Sequence, residues 1–232
     1  YKKIHSVIRY LILIFLLSFI SIVFAHGVAD RDALFIQQNP GIAIIPFMYL
    51  GAKHMITGYD HLLYLLGVIF FLNRIKDIVF YVTLFALGHS ITLILGVLSE
   101  INVNVYLVDT VIGVSVVYKA FENLGGFREF FKFSFDPKVA VFFFGLFHGL
   151  GLATKLQSLV LSTDGLVINI LSFNFGVEIG QLLALTTLLA FINMLKITGK
   201  YKNYSEAINV GVLFSGFLLI SYQLSSFFFL TM

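Results

Sequence analysis

Lys53-His54-Met55-Ile56-Thr57-Gly58-Tyr59-Asp60-His61 opens an apolar run that continues through Leu62-Leu63-Tyr64-Leu65-Leu66-Gly67-Val68-Ile69. Read as a helix, positions i, i+4 and i+7 share a face, so His54, Gly58 and His61 line one stripe with Asp60 on its shoulder. Three ionisable groups therefore stand at the head of a segment that reads as a membrane crossing. Such groups are costly in hydrocarbon and face a bundle interior or a wet cavity. The stretch thus implies a helical membrane bundle and marks the place to look for its chemistry.

The composition agrees. Of 232 residues, 59% are hydrophobic and 12% charged, and mean hydropathy is +0.97, whereas soluble domains carry roughly 25% charged residues. Apolar runs of about 20 residues recur between short polar breaks, which suits helices crossing a core of about 30 Å and is too continuous for barrel strands. Cysteine is absent, so disulfides and thiolate sites are excluded and any metal is held by nitrogen and oxygen. The net charge of +3 is carried at segment ends, with no basic face interleaved with aromatics; this argues against nucleic acid and leaves the lipid bilayer as partner. Twenty-seven Phe and eleven Tyr suit lipid contact and interfacial belts.

Residues 1–25 begin with Lys2, Lys3 and Arg9, run apolar from Leu11 to Phe24 and end at Ala25. This is the layout of a secretory signal peptide cleaved before His26, with an uncleaved membrane anchor as the alternative. Residues 26–52 are expected outside the cytoplasm, polar as far as Gly41 and then short and apolar from Ile42 to Leu50, interrupted by Pro46. That last piece reads as interfacial or re-entrant. Residues 53–232 are expected to form an all-α, polytopic domain of about six transmembrane helices, at about 53–73, 78–98, 105–123, 139–161, 167–195 and 207–230. Arg74 and Lys76 fall in the first break, Arg128, Lys132 and Lys138 in the third, and Lys196, Lys200 and Lys202 at the fifth, while the second and fourth hold no Lys or Arg. By the positive-inside rule the basic breaks are cytoplasmic, and both mature termini lie on the outer side of an inner (cytoplasmic) membrane.

His54, His61, His89 and His148 all fall inside expected spans, with Asp60, Asp109 and Glu178 as the acids among them. At 1.5 Å per residue, His54 is at the outer mouth, Asp109 about 6 Å and Asp60 and His61 about 10 Å down, Glu178 about 17 Å down, and His89 and His148 near mid-membrane. The set describes a pathway opening outward. Asn174, Glu178 and Gln181 form a second stripe at i, i+4 and i+7, and Gly176/Gly180 and Gly145/Gly149 are spaced for close helix approach that would draw His148 and Glu178 to a shared centre. Lys155 is expected to pair with Asp109, whose charge otherwise adds negative potential at the mouth, with a gate that repels cations as the alternative; Lys119 and Glu122 are expected to snorkel or to pair locally. The run Leu84–Ser90 echoes Phe143–Gly149, as two helices of one direction in a parallel repeat would. After cleavage, His26 would offer an amine and an imidazole as a chelating pair.

Imidazole with carboxylate suits divalent transition metals, here Ni, Co or Zn, while histidine also serves proton relays. The same groups would equally fix a zinc ion for an intramembrane hydrolase, which needs three ligands and an open position.

Four blocks in order carry a family likeness: His54-x-x-x-Gly58-x-Asp60-His61; Gly88-His89-Ser90-Ile91-Thr92-Leu93; Phe144-Gly145-Leu146-Phe147-His148-Gly149-Leu150-Gly151; and Phe173-Asn174-x-Gly176-Val177-Glu178-x-Gly180-Gln181. Together they resemble the HupE/UreJ group of membrane proteins associated with nickel uptake. The first also resembles the His and Asp-His signature of nickel and cobalt permeases. The shorter permeases carry Pro after the first His, where this chain has Met55, so the likeness is to a longer, less characterised branch. It implies a signal peptide, about six membrane helices and transport of nickel or a similar divalent ion. His54, Asp60 and His61 would admit the ion, His89, His148 and Glu178 would hold it, and Asn174 and Gln181 would complete or orient the shell. A homo-oligomer or a role as assembly partner of a metalloenzyme stays open.

Overall fold

The computed structural model describes residues 35–36, 38–70, 72, 74–132, 136–157, 164–197, 199 and 201–230. The expected signal peptide and His26 lie outside the described residues. Every element among those described is helical: α1 (Ile44–Thr57), α2 (Tyr59–Ile69), α3 (Ile75–Leu98), α4 (Val105–Asn123), α5 (Pro137–Gln157), α6 (Leu166–Ile197) and α7 (Tyr201–Leu230), with a π-helical turn at Phe127–Phe131. Among the described residues, α3, α5, α6 and the Tyr204–Leu230 part of α7 are long and apolar enough to cross a membrane. At 19 residues, α4 reaches about 28 Å but carries Asp109, Lys119 and Glu122.

The first expected crossing differs. No continuous helix covers 53–73. Instead α1 begins at Ile44 and takes Pro46 into its first turn, where a missing N–H removes no helical bond. The boundary drawn between 52 and 53 thus falls inside a helix. α1 stops at Thr57, Gly58 adopts an extended conformation (φ −74°, ψ 105°), and α2 restarts at Tyr59. A Cβ on Gly58 would strike His61 Nδ1 and lie 3.1 Å from both Asp60 Oδ1 and the His54 carbonyl oxygen. Glycine is therefore what lets His54, Asp60 and His61 fold around the break. Asp60 occupies the first turn of α2, where a negative charge offsets the helix dipole.

Three close pairs build the bundle: α3 with α5, α1 with α6, and α4 with α7. Gly145 and Gly149 of α5 lie against the carbonyls of Phe85 and His89, and Thr92 Oγ1 donates to the Leu146 carbonyl at 2.6 Å. Contacts advance together along the two chains, from Phe85 with Gly145 to Gly96 with Ala153, so α3 and α5 run parallel, as their echoing sequences suggested. Gly176 and Gly180 of α6 lie against the carbonyls of Met48 and Ala52 on α1, and Asn169 binds Ala43 N–H at 2.8 Å and the Gly41 carbonyl at 2.7 Å. The glycine pairs thus do not draw His148 towards Glu178. They dock α5 on α3 and α6 on α1, because backbones this close leave no room for side chains on those faces. Outward, Leu87, Phe143, Phe175 and Phe214 are 52%, 53%, 57% and 64% exposed, a surface suited to hydrocarbon.

Candidate metal centre

The histidines converge from four helices. His54, at the end of α1, and His61, in the first turns of α2, face each other across the break with ring centroids 4.9 Å apart. His61 continues to His148 of α5 at 5.0 Å. Phe85 lies between the remaining pair, 5.0 Å from His148 and 6.2 Å from His89 of α3. His61, His148 and His89 are buried and His54 is half-buried, so the row leads inward from its one accessible member.

Two of the three buried rings are oriented by a hydrogen bond at Nδ1. His148 Nδ1 is 2.7 Å from the Phe144 carbonyl oxygen, which accepts only, so Nδ1 carries the proton and Nε2 keeps its lone pair. That Nε2 is buried without a hydrogen-bond partner. His89 Nδ1 donates in the same way to Asn174 Oδ1 at 3.0 Å. Asp60 Oδ1 stands 3.0 Å from His61 Nδ1 without hydrogen-bond geometry. A carbonyl or amide oxygen on one ring nitrogen is the arrangement that prepares the other for a metal.

The ring spacing fits a shared ion. With metal–nitrogen bonds of about 2.1 Å, a metal lies about 3.2 Å from each ring centre, and two such rings at 90° to 109° sit about 4.5–5.2 Å apart. Both close histidine pairs fall in that range. Among the described residues, no group of three His, Asp or Glu side chains already stands in position to hold a metal ion. The rings are gathered, and completing a coordination sphere requires them to turn.

The other expected site residues lie elsewhere. Glu178 is half-buried and accepts from Thr83 Oγ1 at 3.0 Å, between α6 and α3. Gln181 is buried, with Oε1 lacking a partner. Asp109 is held by Lys155 Nζ at 3.0 and 3.1 Å and by Gln223 Nε2 at 3.4 Å, so its charge is balanced within the bundle instead of adding to the potential at the mouth. Lys119 and Glu122 pair at 2.9 Å as expected. One residue the sequence reading passed over is Tyr64, whose ring is 6.0 Å from that of His148 and whose hydroxyl is buried without a partner. Its signal was its position one turn after His61.

The fold is that of a helical membrane bundle, with the imidazoles of four helices gathered inside it. Residues 30–231 match the family model described as HupE / UreJ protein. The chain belongs to the HupE/UreJ family, which is associated with nickel and cobalt transport. No match was found among curated proteins or solved structures.

Proposed function

We propose that this protein is a permease for a divalent transition metal, nickel or cobalt, which it takes from the outer side of the inner membrane towards the cytoplasm. The observation that carries the reading is His148: Nε2 buried and unpartnered, Nδ1 anchored on the Phe144 carbonyl, and the ring 5.0 Å from His61. His54, Asp60 and His61 receive the ion at the break between α1 and α2. His148 and His89 take it over deeper in the bundle, and Asn174 fixes the tautomer of His89. Glu178, a turn beyond Asn174 on α6, supplies negative charge further inward, and Gln181 offers an amide oxygen. At the break the carbonyl end of α1 meets the N-terminus of α2, whose positive end Asp60 offsets. The positive-inside rule places Arg74, Arg128 and Lys132 in the cytoplasm. The membrane potential then favours entry by about 2.3 kcal/mol per charge per 100 mV.

Reconstitution in liposomes tests this. Nickel or cobalt should enter vesicles containing the wild-type protein and not those containing His61→Ala. No flux of any divalent metal, together with zinc retained in a one-to-one ratio and an ester- or amide-cleaving activity, would replace the permease with an intramembrane zinc hydrolase.

A further inference from the structure

Inward of the histidines the bundle is closed by aromatic rings. Tyr64 packs against Phe85 at 6.0 Å and Phe144 at 5.6 Å, and Tyr118 meets the same Phe144 at 5.4 Å. Tyr64 is 1% exposed, and its hydroxyl has no partner. Leaving a buried hydroxyl unpaired is costly, so packing alone would favour Phe. Next along α4 comes the Lys119–Glu122 ion pair, with side chains 3% and 10% exposed. Gly67 of α2 makes room for it, since a Cβ there would lie 2.9 Å from Lys119 Cγ. Beyond the pair opens a cavity of about 310 Å³ lined by Glu122, Asn123, Arg128, Tyr201, Ser205 and Asn209. Asn123 donates to Asn209 Oδ1 at 2.6 Å and to the Gly67 carbonyl at 2.9 Å, while its own Oδ1 is buried without a partner. This cavity lies at the end of the bundle that carries the basic breaks.

We propose that the cavity is the vestibule through which the divalent cation leaves, and that the Lys119–Glu122 pair is the gate between it and the histidine cluster. The proposal rests on the permease reading and supplies its inner half. While Lys119 holds Glu122, an ammonium charge stands on the route and repels a second cation. An ion that has passed Tyr64 competes for the Glu122 carboxylate, and Lys119 must give way. Arg128 and Glu122, the charged residues of the vestibule lining, balance each other, so the vestibule has no net negative charge to retain the ion, and conduction requires sites weak enough to leave.

The chain has no cysteine, so a single introduced thiol reports unambiguously. A charged, membrane-impermeant thiol reagent should label S205C in oriented vesicles only from the face bearing the basic breaks; labelling only from the opposite face, or none, overturns the vestibule. Nickel binding by equilibrium dialysis and nickel entry into vesicles are then measured side by side. Glu122→Gln should bind nickel as wild type does, because the histidines are intact, and lose about tenfold in entry rate. The double variant Lys119→Met/Glu122→Gln leaves no buried charge unpaired and so protects the fold. From preloaded vesicles it should leak nickel about tenfold faster than wild type. Wild-type rates in both variants overturn the gate. Wild-type protein that neither binds nor moves nickel would instead overturn the permease reading beneath it.

Discussion

His148 shows what a single residue contributes here and why its partners matter as much as its type. With Nδ1 committed to a backbone carbonyl, the ring presents one lone pair in a fixed direction, and His148→Ala removes it without disturbing the helix. Asn174 acts one step back, through His89. We expect Asn174→Leu to weaken nickel binding about 10–100-fold, as loss of an orienting partner does, and His148→Ala to weaken it further, both with thermal stability in detergent close to wild type. Isothermal titration of the purified variants measures this; unchanged affinity in Asn174→Leu would deny His89 a place in the site. At this scale the sequence made the histidines stand out, and it did not say which of them come together. Histidines in apolar runs are conspicuous, because hydrocarbon makes them costly. Asn174 and Glu178 share a face of α6 and both reach α3, one turn or about 6 Å apart, so Asn174 meets His89 and Glu178 meets Thr83; only the level at which α3 packs decides which residue each one finds.

Among the elements, the break at Gly58 matters most. The sequence carried its signals, glycine after Thr57 and an acid at Asp60, which mark a helix stop and restart. The apolar residues on both sides masked them, since hydropathy averaged over a span passes smoothly across a single extended residue. Alanine favours continuous helix over glycine by about 1 kcal/mol, and its Cβ would push the His61 ring from its place at the break. Gly58→Ala should therefore leave thermal stability unchanged or higher while nickel affinity falls. Lower stability with intact affinity would show that the break serves packing alone. The close-approach glycines were likewise legible as such, but their partners were not. GxxxG spacing says that a backbone comes near without saying which, and α5 chose α3 where α6 chose α1.

Across the whole molecule, helix type and the limits of the later crossings were readable because length and hydropathy fix them in lipid: 105–123 coincides with α4, and 78–98 lies within α3. The pairing of the three α4 charges was legible too, Lys119 with Glu122 one turn along the same helix and Asp109 with Lys155 of α5; what the pattern could not convey is the third partner, Gln223 of α7. Asp109 is bound by Lys155 of α5 and Gln223 of α7, which ties three helices near the end opposite the basic breaks. Asp109→Asn leaves the Lys155 charge without its counter-charge and should destabilise the bundle by about 3–5 kcal/mol, while Asp109→Asn/Lys155→Met should recover most of that loss. Unfolding of the detergent-solubilised variants reads the difference; a double variant no better than the single one would mean that the pair is incidental. The account depends most on the histidines from separate helices sharing one ion. X-ray absorption on nickel-loaded protein should show one nickel per chain with the outer-shell scattering of at least two imidazoles, reduced in both His61→Ala and His148→Ala. Nickel bound without imidazole scattering, or spectra unchanged by both substitutions, would contradict it.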